Sequence, residues 1–312
     1  MTTYLISGSS GLLGSALSDA AQANGVHVAR LIRSSTPCTN GDVAVDLGHR
    51  WIDRDALDTL GHVDAVIHLA GAGIADRRWS PARKQEILES RTVFTELLAT
   101  TIAQLATPPG VFLSGSAIGF YGDTGATDVD ERGAVGHDFL ADVCAAWEAA
   151  ARDAGVRTVL LRTGIVLTPR GGALKRQLPL FNAGLGGRLG RGTQSMSWIG
   201  LTDWIRAVEW TIADETLSGP VNLTAPTPVT NAEFTTTLAR SLHRPALAAV
   251  PPFALKIALG SELASTALLA SQRVLPNALL DAGFTFAEPD LAGALRHELG
   301  AGTEQHLSLI HI

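Results

Sequence analysis

Two cysteines, two tyrosines and two methionines are all that 312 residues contain of those types. Such scarcity of cysteine excludes a disulfide-stapled scaffold, and Cys38 and Cys144 stand in neither a C-x-x-C nor a zinc-ligand spacing. Both read as free thiols of a reducing compartment. No block of Lys or Arg offsets the formal charge of −6, so no nucleic-acid partner is expected. An anionic ligand then has to be held by a local site rather than by a general field. A long hydrophobic run is also missing. The most apolar late stretch, PPFALKIALGSELASTALLA, is interrupted by Lys256 and Glu262, and Met1 leads into TTYLIS without a basic n-region. No membrane segment and a cytoplasmic location are the expectations. The histidines are scattered without metal-ligand spacing, so no metal is expected.

What is present is a globular composition, 46% apolar with 17% charged residues, enough for a substantial core. Short apolar runs recur as TYLIS, HVARLI, DAVIHLAG (64–71), GVFLSGSA (110–117) and RTVLLRTGIVL (157–167). Helical periodicity fills 12–24, 80–106 and 138–154 between them. Near-continuous apolar strands alternating with helices predict an α/β fold, a doubly wound parallel sheet of the Rossmann type, over residues 1–170. Beyond that the texture changes to GLGGRLGRGTQ and to helical patterns at 202–214, 230–242 and 253–298, with the strand-like GPVNLTAP among them. Residues 171–300 are expected to form a smaller, mostly helical substrate cap. The tail 301–312, with TEQHLSLIHI, is expected to lie outside the fold as a frayed or non-native segment.

The string LISGSSGLLGSAL places Gly8, Gly11 and Gly14 after a strand and at the opening of a helix, the context that a dinucleotide turn requires. Gly8 allows the tight turn, Gly11 the approach of a pyrophosphate, and Gly14 the close packing of helix on strand. Free amides beyond Ser10, with Leu12 and Leu13, face the phosphates. The plain alternative is a glycine-rich bend without a ligand. Absence of a Gly-Lys-Ser/Thr string argues against a triphosphate loop. The second strand ends ARLIRSS, with no acid for the ribose hydroxyls, and Arg33 at its tip suits a 2′-phosphate. NADP is therefore the expected cofactor, against the alternative that Arg33 is a solvated surface residue.

The Gly-x-x-Gly-x-x-Gly spacing together with DAVIHLAG resembles the extended short-chain dehydrogenase/reductase superfamily. RRWSPARKQEILESR (77–91), SGSAIGFYG (114–122), FLADVCAAWEAAA (139–151), SWIGLTDW (197–204) and SQRVLPNALLDAGFTF (271–286) narrow the resemblance to one atypical branch. That branch is the NAD-dependent epimerase/dehydratase-like group of epimerase family proteins with a characteristic C-terminal domain. The resemblance covers about residues 3–298 and implies the fold, NADP(H) binding, and Leu69, Ala70 and Gly71 beside the cofactor. Typical members use Asn, Ser/Thr, Tyr and Lys to move a proton while hydride moves at the nicotinamide. Ser116 matches the hydroxyl. The Tyr and Lys positions, eight and four before Glu148, hold Leu140 and Cys144, and the Asn position, four before Thr95, holds Arg91.

Of the four groups only the serine remains. Tyr121, just beyond Ser116, is the candidate replacement phenol, with packing of its loop as the alternative. Glu86 and Arg91, on the helix after HLAG, are expected to face the cofactor, with surface salt bridging as the alternative. His68 reads as structural or ribose-proximal, and Cys144 as a packing residue. Arg188 and Arg191 suit an anionic small-molecule substrate, Trp198 an apolar wall, and the glycines around them a mobile lid. The functional expectation is an NADP(H)-dependent oxidoreductase or epimerase-like enzyme. The alternative is a non-catalytic NADP(H)-binding sensor or assembly protein. Monomer and homodimer are both open.

Overall fold

The computed structural model describes residues 2–36, 39, 41–246 and 248–308, so Cys38 lies outside the described residues. Six strands run through the first part of the chain: β1 (Thr3–Ser7), β2 (His27–Arg33), β3 (Asp42–Asp46), β4 (Trp51–Ile52), β5 (Ala65–His68) and β6 (Val111–Ala117). They are joined by β7 (Thr158–Thr163) and β8 (Gly219–Leu223) in one eight-stranded sheet of order β8-β7-β6-β5-β1-β2-β3-β4. All pairings are parallel except that of β3 with β4. Strand order reverses around β1, which lies between β2 and β5, and this leaves a crevice at the carboxyl ends of these strands.

Alternation of side chains explains why both sheet faces are apolar. Tyr4, Ile6, Ala65 and Ile67 enter one core, whereas Leu5 and Val66 enter the other. The first core is covered by α1 (Leu12–Ala23), through Ala16 and Leu17, and by a helix at Leu201–Ala213 whose Trp204 is fully buried. On the other side lie α2 (Arg54–Thr59), α3 (Pro81–Ala103) and α4 (Phe139–Ala150). Phe94, Leu97 and Leu98 of α3 fill that core. Ser80 and Asp138 cap α3 and α4 by accepting the amides of Arg83 and Ala141. A fully buried Leu or Phe is worth roughly 1.5–3 kcal/mol, so the two faces carry most of the stabilisation of this half.

The alternation continues past residue 170. After α5 (Gly172–Asn182), α6 (Leu201–Ala213) packs on the first face and leads into β8 at the sheet edge, so the strand-like GPVNLTAP belongs to the main sheet. Sequence patterning also passed over β3 and β4, short strands whose Val43 and Val45 are buried while their flanks are polar. A third core, with Trp198, Phe234 and Leu238, unites α5, α7 (Asn231–Ser241) and α9 (Leu291–Ser308), with α8 (Pro252–Leu259) lying outside it. Trp198, expected as a cleft wall, is fully buried there by the apolar cluster around Leu167 and Phe234, and its indole Nε1 keeps a partner by donating to Thr227 O at 3.1 Å. The glycine-rich stretch is tied down by parallel pairing of Gly187–Leu189 with Ala248–Val250, leaving Arg188 and Arg191 exposed. Helix α9 carries helical backbone into the expected tail, as far as Ser308.

One carboxylate fastens the late helices to the sheet. Asp203, in the first turn of α6 and 2% exposed, accepts the amides of Ala287 and Glu288 at 2.9 and 2.8 Å and Arg206 Nη1 at 2.7 Å. Removing it leaves two backbone amides without their acceptor. Asp203→Ala is expected to cost about 2–4 kcal/mol in urea unfolding. Arg50→Ala, which removes an exposed pair with Glu96, serves as the control and is expected to cost about 0–1 kcal/mol. Equal shifts for the two variants would contradict the latch.

Candidate active site at the carboxyl edge of the sheet

The glycine turn is built by close approach of backbone to backbone. Gly8 has φ +70°, and a Cβ there would lie 2.8 Å from Ala70 N and Leu69 C. A Cβ at Gly14 would lie 2.2 Å from Gly8 O. Only glycine fits either position, so β1, the start of α1 and the end of β5 are locked together. Gly11 is the N-cap of α1 and supplies no side-chain cap, and Ser10 and Gly11 are exposed. The first amides of α1, at Leu12 and Leu13, therefore sit at an uncapped helix N-terminus with its partial positive charge. An anion such as a pyrophosphate fits this cradle.

Along the same edge the arginines divide their work. Arg30 forms a two-pronged pair with Asp42, both contacts 2.7 Å, and these hydrogen bonds hold the Asp42 carboxyl down at about 2. Arg33, at the end of β2, is exposed, and among the described residues no carboxylate pairs with it. The register of β1 with β2 and β5 sets Gly8–Leu13, Arg33 and Leu69–Gly71 on one rim.

On the β5 side, His68 is fully buried, with Nδ1 2.6 Å from Ser7 Oγ and its ring edge-on to Phe94. Burial first, and Arg91 second, pull its pKa down to about 3, so it is a neutral structural group. Arg91 lies half-buried against Gly71, where a Cβ would come 3.2 Å from its Cζ, with the guanidinium 5.1 Å from the Trp147 ring. Glu86 is exposed and committed to Arg77 and Arg83, at 2.6 and 2.7 Å, which is the salt-bridging alternative for this residue. Cys144 is a buried free thiol pushed up to about 12 by desolvation, and with Leu140 it packs on Gly119.

Ser116 and Tyr121 are brought into one buried polar network. Ser116 Oγ donates to Glu148 Oε1 at 2.7 Å. Arg162 grips the same carboxylate from Nε and Nη2, at 2.7 and 2.8 Å, with both side chains under 5% exposed. Arg162 Nη1 donates to Tyr121 Oη at 2.9 Å, and Tyr121 donates to Asn222 Oδ1 at 2.7 Å. The phenol, expected as a replacement acid, is thus engaged on both sides, and burial pushes its pKa up to about 12. Its loop is packed as well, since Phe120 lies 3.5 Å under the Arg162 guanidinium. Sequence reasoning missed Glu148, Arg162 and Asn222. The available signal was a lone charge in each of two apolar runs, CAAWEAAA and TVLLRTG, because a buried charge demands a partner.

An uncapped helix N-terminus at the switch point of a doubly wound sheet, on one rim with an exposed arginine that has no carboxylate partner among the described residues, defines a Rossmann-type protein suited to a dinucleotide. The chain belongs to the NAD dependent epimerase/dehydratase family, whose model matches residues 4–223, and residues 250–298 match a domain of unknown function, DUF1731. It is 46% identical over 293 residues to an epimerase family protein of Mycobacterium bovis, covering 93% of this chain and 95% of that one. Similarity to an epimerase family protein of Staphylococcus aureus is 35% over 300 residues, covering 95% and 98%. The crystal structure of the human epimerase family protein SDR39U1 with NADPH superimposes with a TM-score of 0.86 at 31% identity, covering 95% of this chain and 99% of that one. No helix among the described residues is long and apolar enough to cross a membrane.

Two outcomes follow for this edge of the sheet. Arg162→Leu leaves the Glu148 carboxylate buried without its cation, and a loss of about 3–5 kcal/mol is expected in urea unfolding; a loss below about 1 kcal/mol would mean the pair is not closed in solution. His68 titrates with a definite sign. The unfolded imidazole takes a proton below its ordinary 6.5 and the folded one only near 3, so stability is full above 6.5 and falls as pH drops through that window. Unfolding free energy should fall by up to about 1.4 kcal/mol per pH unit between pH 6 and 4. His68→Asn should remove that part of the slope, and an unchanged slope would contradict the assignment.

Proposed function

We propose that the chain binds NADP(H) at the glycine edge and works as an oxidoreductase or epimerase-like protein on a small molecule, with the parts of 171–300 that stay outside the main sheet covering the site. The observation that carries this reading is Arg33, exposed and unpaired by any described carboxylate at the tip of β2, where no acid is available for ribose hydroxyls. A guanidinium there matches a 2′-phosphate. Gly8, Ser10, Gly11, Leu12 and Leu13 would hold the pyrophosphate, and Leu69–Gly71 would border the nicotinamide half. The relative solved with NADPH supports the choice of cofactor. When bound, the group supplies hydride chemistry at the nicotinamide.

Ser116 is the hydroxyl for the substrate, in an unusual state. Its proton is directed to Glu148, so the remaining lone pairs accept a hydrogen bond rather than donate one. A substrate O–H or N–H suits that position. A second reading, NADP(H) binding without turnover, is favoured by one observation: Leu140 and Cys144 form an apolar wall where typical relatives carry a phenol and an ammonium, and Tyr121 is tied to Arg162 and Asn222.

Fluorescence titration of the purified protein with NADPH and NADH tests the common core of both readings. NADPH should bind more tightly, and Arg33→Asp should weaken NADPH by at least about tenfold while changing NADH by less than roughly threefold. Equal binding of the two nucleotides to the unaltered protein would refute the NADP assignment. Binding of neither would refute the site.

A further inference from the structure

Among the described residues, the arginines that lie buried or half-buried are neutralised or saturated, with one exception. Arg162 is paired with Glu148, Arg83 has Glu86 at 2.7 Å and the carbonyl of Gly73, and Arg157 donates to four carbonyls at the end of α6. Arg91 has a single hydrogen bond, from Nη1 to Ile87 O of its own helix at 3.0 Å, and among the described residues no carboxylate pairs with it. Most of its five donors are therefore left for something else. The groups that face it do not balance its charge. Arg83 is a like charge, while the Cys144 thiol, held up at about 12, and the His68 imidazole, held down at about 3, are both neutral at ordinary pH.

Position gives this lone cation a meaning. The guanidinium abuts Gly71, just past β5, and lies over Trp147. That indole in turn occupies the space a Cβ at Gly115 in β6 would fill, 2.6 Å from its Cζ2. Arg91 therefore spans the carboxyl ends of β5 and β6, across the crevice from Arg33 on β2. With the 2′-phosphate end at Arg33 and the pyrophosphate at the glycine turn, the nicotinamide half falls on the Arg91 side.

We propose that Arg91, reaching in from α3, is the cation of the nicotinamide half-site, and that its uncompensated charge makes the site favour the reduced dinucleotide over the oxidised one. The oxidised nicotinamide ring carries a positive charge and the reduced ring is neutral, so a nearby guanidinium in a poorly solvated site opposes only the former. The site is then loaded with the reduced form and releases the oxidised one readily, while the same preference makes the bound reduced form a weaker hydride donor than it is in water. This inference rests on the binding reading above and adds a redox preference to it.

Calorimetric titration with NADPH and with oxidised NADP separates the two claims. The unaltered protein should favour NADPH by at least about tenfold. Arg91→Met should cut that ratio to below roughly threefold, chiefly by tightening the oxidised form, whereas Arg91→Lys should keep it. Near-ultraviolet circular dichroism checks that each variant is folded, with Arg91→Gln as a substitute if the Met variant is not. Equal affinities in the unaltered protein, or a preference that survives charge removal, would overturn the proposal while leaving the NADP site standing. A parallel loss of both affinities would make Arg91 an ordinary ribose or phosphate contact, which also overturns it. No binding of either form would end the underlying reading as well.

Discussion

A single buried ion pair, Glu148 with Arg162, sets the terms for the carboxyl edge of the sheet. Moving two full charges out of water costs several kcal/mol each, and attraction between them compensates only when the geometry is good and the remaining donors and acceptors are filled. Here the grip is two-pronged, and the filling groups come from all around: Ser116 on β6, Tyr121 after it, and the carbonyl of Glu131. Each of these hydroxyls is oriented by the pair rather than by a substrate. The constraint explains why the serine is held as an acceptor and why the phenol is spent. It also explains why Asn222 is fixed, by Tyr121 at one end and by its Nδ2 donating to Leu275 O at the other.

How much of this was legible in the sequence depends on the range of the interaction. The glycine turn was readable because part of its cause is local: a side chain at Gly11 or Gly14 would press on Gly8 a few residues away, whereas the conflict at Gly8 itself is with Leu69 and Ala70 of a distant strand end. The main strands and helices were readable for the same reason, through periodicity. Arg33 was readable as a residue at the tip of a strand, although its lack of a described carboxylate partner was not, since Arg30 three residues earlier is claimed by Asp42.

The buried network was opaque. Its links join residues 32, 41 and 101 positions apart, and no local pattern announces which distant groups will meet. Tyr121 had been open to two readings, acid or packing, and only the position of Asn222 in the added strand shows its hydroxyl engaged by the protein itself. Trp198 misled in the opposite direction: beside glycines and arginines it reads as a wall of a cleft, whereas the third core around Leu167 and Phe234 absorbs it completely. A loss of typical groups at Leu140, Cys144 and Arg91 was visible as a change of residue type. That Leu140 and Cys144 pack on Gly119, while Arg91 meets no carboxylate among the described residues, needed three dimensions.

The edge strand β8 has an implication for how the protein comes into being. Among the described residues its sheet partner is β7 alone, and it supplies the asparagine that Tyr121 needs. A nascent chain emerging from the ribosome has every helix and strand of the nucleotide turn by residue 117, yet the neighbour of Leu161 and Arg162 arrives only with residues 219–223. Until then the bond from Tyr121 to Asn222 is unmade and one side of β7 is an open edge. The half of the protein that looks self-sufficient in the sequence is finished by its own later chapters.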